Sequence, residues 1–224
     1  MDYPGKELIP LNPRDGQIFA KVNIFVEKNN LKWIHDRVLS RNLFGIESNY
    51  VEENPSTVRA MTSSSVLAPN EIKLFTNDKA GKAGRASWFI ADRSVISNNP
   101  EKIDEWQVVV SSANAGGQKR DNQIEIIDNI SAFGRARVAL GTFRTREEAV
   151  NFYNCMNTYA VRLLFLLTDE ALTSLGKKVP DLLDYYSGNK LIDFSADLNE
   201  QMFELLDLTE VEVDYIKGKI DNLR

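Results

Sequence analysis

The sequence predicts an α+β fold: a mixed, mostly antiparallel sheet, a long helix after the last strand, and a helical C-terminal part. Three observations predict it. Strand-like segments fill the first two thirds of the chain and precede the helices instead of alternating with them. Trp106-Gln107-Val108-Val109-Val110-Ser111 is mostly apolar, as a central strand is. Thr145-Arg146-Glu147-Glu148 is a capping box, and Ala149, Phe152, Tyr153, Met156, Ala160, Leu163 and Leu164 follow on one helical face.

Each element has its own warrant. Residues 1–18 are polar and rich in Pro and Gly, and read as a leader or linker. Ile18, Ala20, Val22, Ile24 and Val26 alternate, which predicts a half-buried strand over 17–26. Asn29 and Asn30 then offer a cap for a helix through Arg41, with Leu31, Ile34, Val38 and Leu39 at helical spacing. Residues 54–69 form a hydroxyl-rich loop with a short strand near 58–61. Strands follow over 71–76 and 85–96, joined by the Gly- and Lys-rich turn 77–84.

Pro100 opens one helical turn. Strands are expected at 106–111, 124–130 and 137–143, with 112–122 as a loop. The long helix runs from the Thr145 cap to about Leu167. Two short helices close the chain, near 196–206 and 210–222, the second capped by Thr209. The expected organisation is a leader over 1–18, a main domain over 19–189, and an acidic helical extension over 190–224 packed on it.

At 224 residues the chain is long enough for a sizeable core. Cys155 and His35 are its only cysteine and histidine, which excludes an intrachain disulfide and a cysteine-based zinc site. One thiol and no signal peptide fit a reducing cytoplasm. No apolar run is long enough to span a bilayer, so no membrane partner is expected. The net charge is −5, but residues 190–224 carry nine acids and four bases, so 1–189 are neutral. From 132 to 146 there are four arginines and no acid, and such a local field steers phosphate even on an acidic protein.

Catalytic patterns are sparse. Gly81-Lys82-Ala83-Gly84 and Ala115-Gly116-Gly117 are not followed by a helical pattern, so they read as inter-strand loops and not as phosphate cradles. His35 reads as a helix-surface residue, and Cys155 as an inert buried thiol. Glu71-Ile72-Lys73 has the Glu-x-Lys spacing of magnesium-dependent nucleases but lacks an evident upstream Asp. That nuclease is the alternative function, together with a protein-interaction module.

Binding patterns are richer. Gln118, Lys119, Arg120 and Asn122 follow two glycines and suit the reading of base edges, since Arg and Lys donate to guanine and Asn and Gln pair with adenine. Arg135 and Arg137 are spaced to share one sheet face and hold successive phosphates. Lys79, Lys82 and Arg85 flank small residues, as in a loop that orders on a polyanion. The competing reading of each group is an ordinary solvated surface. Aromatic residues are not interleaved with these loops, which favours duplex reading over single-strand stacking.

Several segments resemble the C-terminal target-recognition domain of bacterial N6-adenine DNA methyltransferases in restriction-modification systems, the TaqI-like kind. The strand 106–111 is one. The helix start Phe143-x-Thr145-x-x-Glu148-Ala149-x-Asn151 is another, with its continuation Thr158-x-x-x-Arg162-Leu163-Leu164. Val179-Pro180-Asp181-Leu182 and Leu205-Leu206-Asp207-Leu208-Thr209 resemble the closing segments, and Ser40-Arg41-Asn42-Leu43-Phe44-Gly45-Ile46 the entry. The resemblance implies sequence-specific recognition of double-stranded DNA without catalysis. The methyltransferase motif Asn/Asp-Pro-Pro-Tyr/Phe is missing: Asn12-Pro13, Asn54-Pro55 and Asn99-Pro100 all lack the second proline. No cofactor is expected in this chain. S-adenosylmethionine would belong to a partner catalytic domain, in cis or in trans, and the chain would be a piece of a larger protein or a separately encoded subunit.

Overall fold

The computed structural model describes residues 12–78, 86–112, 124–168 and 174–223. The fold is α+β, with six α-helices and nine strands among the described residues, in mostly antiparallel sheets and with a helical C-terminal part. The chain divides into two compact units. One takes the described residues up to Arg37 and from Val150 onward; the other takes those of 38–113 and 123–149.

The first unit opens with α1 (Pro13–Lys28). The sequence predicts a leader to residue 18 and a strand from 17, and the structure corrects both. Asn12 accepts from the Arg14 amide at 2.9 Å and Pro13 fills the first helical position, a start signal that the alternating pattern obscures. Ile18, Val22 and Val26 fit either period. Buried Phe25 and the 63% exposure of Ile24 belong only to a helix.

Asn29 and Asn30 end this helix instead of starting the next. Asn30 is left-handed at φ 51°, and the Leu31 and Asn30 amides return to the carbonyls of Val26 and Glu27 at 3.0 and 3.2 Å. The expected helix over 31–41 is therefore absent. In its place β1 (Lys32–Trp33) pairs antiparallel with β9 (Pro180–Asp181), and a single 3-10 turn covers Ile34–Asp36.

The four-residue helix α2 (Tyr50–Glu53) belongs to the other unit. The predicted long helix is two helices, α3 (Arg146–Met156) and α4 (Tyr159–Leu166). Its Thr145–Glu148 capping box is present, with each backbone amide bonded to the other's side chain at 3.1 and 3.2 Å. The break falls at Asn157-Thr158. Both side chains bond backbone carbonyls of the preceding turn, and the Tyr159 amide is taken by Asn199 at 2.9 Å.

Asp197 caps α5 (Leu198–Leu205), and a Thr209–Glu212 capping box opens α6 (Glu210–Asp221). Two ion pairs join the acidic C-terminal segment to α1: Lys21 with Glu212 and Lys219 with Asp15, both at 2.7 Å. Asp181 of this unit is a buried carboxylate, 4% exposed. It accepts from Tyr185 Oη at 3.0 Å, the Leu183 amide at 2.9 Å and Arg37 Nε at 3.0 Å. Arg37 also lies over the Tyr185 ring, which meets Phe152 edge-on at 4.8 Å.

The second unit holds two sheets. β2 (Val58–Ala60), β4 (Ala86–Asp92), β3 (Glu71–Asn77) and β7 (Ser131–Phe133) lie in that order, and only β3–β7 is parallel. The other sheet has β5 (Trp106–Ser111) at its centre between β6 (Glu125–Ile127) and β8 (Arg137–Phe143), as the apolar run predicts. Leu74, Phe89, Ile103, Val109, Ala132 and Ala139 are among its buried core. Gln107 is fully buried in β5 and donates to the carbonyls of Lys102 and Ser131 at 2.9 and 3.2 Å.

Replacing Asp181 with Ala leaves Arg37 and the Tyr185 hydroxyl without their shared acceptor. Urea denaturation should show a loss of about 3 kcal/mol, the lower range for breaking a buried pair because Arg37 is partly exposed. Tyr185→Phe should cost less, about 1–2 kcal/mol, for the hydroxyl's hydrogen bonds to Asp181 and from the Leu182 amide.

Candidate nucleic-acid interface

The β3–β4 hairpin stays in register out to Asn77 opposite Ala86. In the second sheet β5 ends at Ser111, opposite Arg137, while β6 begins at Glu125. Arg137 brings these ends together. Its guanidinium lies 4.8 Å from the centre of the Phe75 ring, two residues before Asn77, and its Nη2 is 3.4 Å from the Glu125 carboxylate. The described ends of segments 79–85 and 113–123 therefore converge on one side of this unit. Lys79, Lys82, Arg85, Gln118, Lys119, Arg120 and Asn122 themselves lie outside the described residues, as do the two glycine-rich candidates.

The expectation that Arg135 and Arg137 share one sheet face is corrected. Arg137 is only 8% exposed and is held by an aromatic face and an acid, so it positions the scaffold. Arg135 precedes the strand. Its amide bonds the Ile46 carbonyl at 2.9 Å, and the Arg137 amide closes a turn on Gly134 at 3.0 Å, which takes Arg135 off the pleat. Arg135 is exposed and pairs with Glu47 at 2.8 Å. An exposed pair of this kind is weak, so a phosphate competes for it readily. Sequence reasoning missed Phe75, Glu125 and Glu47 as partners, because only the packing of separate strands and loops in the folded unit brings them to these arginines. The short strand β7 escaped it as well.

The nuclease alternative finds its two residues on one face of β3 but engaged elsewhere. Glu71 accepts from the Ala68 amide at 2.8 Å and from Arg59 at 2.7 Å, and these bonds hold its carboxyl below the usual range. Lys73 pairs with Asp128 at 2.6 Å. Among the described residues, no three His, Cys, Asp or Glu side chains are gathered to hold a metal. Among them too, no helix is long and apolar enough to cross a membrane.

His35 lies in the 3-10 turn, and its Nδ1 donates to the Leu175 carbonyl at 3.0 Å. Cys155 is buried as expected. Burial first, and then the Asp181 carboxylate, pushes its thiol up to about 12. Its alkylation at pH 8 should therefore be slow in the native protein and fast in urea, a contrast that thiol labelling with mass detection measures.

Arg137→Ala should lower stability by about 2 kcal/mol, while Arg135→Ala should change it by less than about 0.5 kcal/mol. Paired urea denaturation curves distinguish the buried arginine from the exposed one.

No protein-family model, no curated protein and no solved structure matches this chain.

Proposed function

We propose that this chain is a sequence-specific reader of double-stranded DNA, the target-recognition part of a restriction-modification methyltransferase, acting with a catalytic domain that carries S-adenosylmethionine. One observation supports it above the others. The strand ends that bound the cationic segment 79–85 and the cationic, amide-rich segment 113–123 meet at a single pinned arginine, so both segments attach to the same side of a sheet scaffold.

Within this reading the roles divide by chemistry. Gln118, Lys119, Arg120 and Asn122 read base edges. Lys79, Lys82, Arg85 and exposed Arg135 hold phosphates. Arg137 touches no DNA and fixes the strands from which both segments leave. The sequence motifs at 106–111 and 143–151 support the family assignment, because they are the central strand and the capped helix start of the structure.

Selection from a randomised duplex pool at low salt should enrich one site. Lys119→Ala/Arg120→Ala should then lose discrimination by roughly 1–3 kcal/mol per bidentate base contact. Arg135→Ala should weaken all duplexes alike and flatten the salt dependence. A pool that yields no enriched site, or a double variant with unchanged preference, overturns the reading.

A further inference from the structure

A groove of about 350 Å³ in the second unit is used by none of the residues assigned above to duplex DNA. Its size falls within the ~300–1,000 Å³ range of small-molecule sites. Its apolar wall contains Trp88 and Trp106, two of the chain's three tryptophans, with Met61 beside them. Its polar side is Lys73, Asp128 and Arg146.

The wall is built by strand register. Phe75 stands opposite Trp88 on β3 and β4, with ring centres 4.9 Å apart. The Met61 amide donates to the Trp88 carbonyl at 3.0 Å, which continues β2 alongside β4 and sets Met61 next to the indole. Phe75 is buried and itself carries Arg137, so Trp88 rests on a fixed base. Both groove tryptophans nevertheless remain half-exposed. A large ring that is firmly backed yet partly bare, as Trp88 is, suits stacking against a flat ligand.

The polar side narrows the ligand. Lys73 and Asp128 form an ion pair at 2.6 Å, with side chains 24% and 27% exposed. Asp128 also accepts from the Ser131 hydroxyl. A carboxylate has about four acceptor sites and an ammonium three donors, so both retain capacity toward the groove. The pair thus presents an anionic acceptor beside a cationic donor. Guanine complements this better than the other bases. Its N1–H and N2–H₂ give a carboxylate two donors, and O6 offers the ammonium an acceptor; adenine and cytosine have a single exocyclic donor group beside their acceptor, and uracil a lone N–H between two carbonyls. Arg146 is exposed at the start of α3 and has no ion-pair partner among the described residues, so a guanidinium is open to a phosphate.

We infer that this groove binds a guanine nucleotide, with the base against Trp88 and Trp106, its Watson–Crick edge on Asp128 and Lys73, and its phosphate on Arg146. The nucleotide is either free or an unstacked guanine of a single strand. The duplex reading can fail without affecting this inference, since the two use different residues.

Tryptophan fluorescence of the full chain, titrated with the four 5′-monophosphates and with short single strands of dG-containing or dG-free sequence, tests it. GMP or the dG-containing strand should quench emission and bind at least tenfold tighter than its guanine-free counterparts. Response to GMP marks a free nucleotide as sufficient; response only to the dG strand marks an unstacked base. Asp128→Asn should abolish the guanine preference, and Arg146→Ala should weaken GMP at least fivefold while leaving guanosine unchanged. Arg146 is exposed, so its variant keeps the test intact if Asp128→Asn folds poorly, as judged by circular dichroism. Quenching without base preference, no quenching by any ligand, or Arg146→Ala acting equally on guanosine and GMP overturns the inference.

Discussion

A buried guanidinium is tolerable only where its charge is answered, and Arg137 is answered from two directions. The Phe75 face meets it from β3 and the Glu125 carboxylate from β6, while its own backbone pairs with the end of β5. Removing either partner leaves charge in a poorly solvated place, a cost that favours one register over its neighbours. A one-residue slip of β8 would turn Arg137 to the opposite face. The positions from which both cationic segments leave the scaffold therefore depend on this contact. In the other unit Asp181 plays the corresponding part, gathering Arg37, Tyr185 and the Leu183 amide around one carboxylate.

This division between a held framework and variable connections is the usual physical basis of recognition. Strands and caps fix where a segment begins and ends, and side chains between those points can change without altering the core. Under the proposed reading, buried Arg137 and exposed Arg135 illustrate the two kinds of arginine. One has partners that exclude solvent; the other has an exposed acid that a phosphate can displace. Net charge alone says little about either. The acidic excess lies in 190–224, and within the first unit Glu212 and Asp15 are already matched by Lys21 and Lys219.

The differences between sequence reading and structure have particular causes. Ile18, Val22 and Val26 satisfy both a period of two and a period of 3.6, so the alternation through Ala20 and Ile24 was misleading where the Asn12-Pro13 cap was not. Asn29-Asn30 can start a helix or stop one, and the carbonyls of Val26 and Glu27 settled which. The helix after β8 continues past 157 on apolar spacing alone, yet Asn157 and Thr158 bond their own backbone and Asn199 takes the next amide. Arg135 and Arg137 sit two apart in sequence, but the turn at Gly134 lies between strand geometry and one of them.

Local chemistry determined the central strand at 106–111, the strand at 137–143, the Thr145 capping box and the Thr209 cap, because each rests on residues within a few positions of one another, and the order of such elements along the chain set the α+β class. Tertiary structure decided that Arg137 is buried over Phe75, and that Trp88, Trp106, Lys73, Asp128 and Arg146 line one groove. Those outcomes rest on strand register and on contacts between residues tens of positions apart. No periodicity in a single sequence encodes them, since the energy that selects them exists only once the sheets are paired.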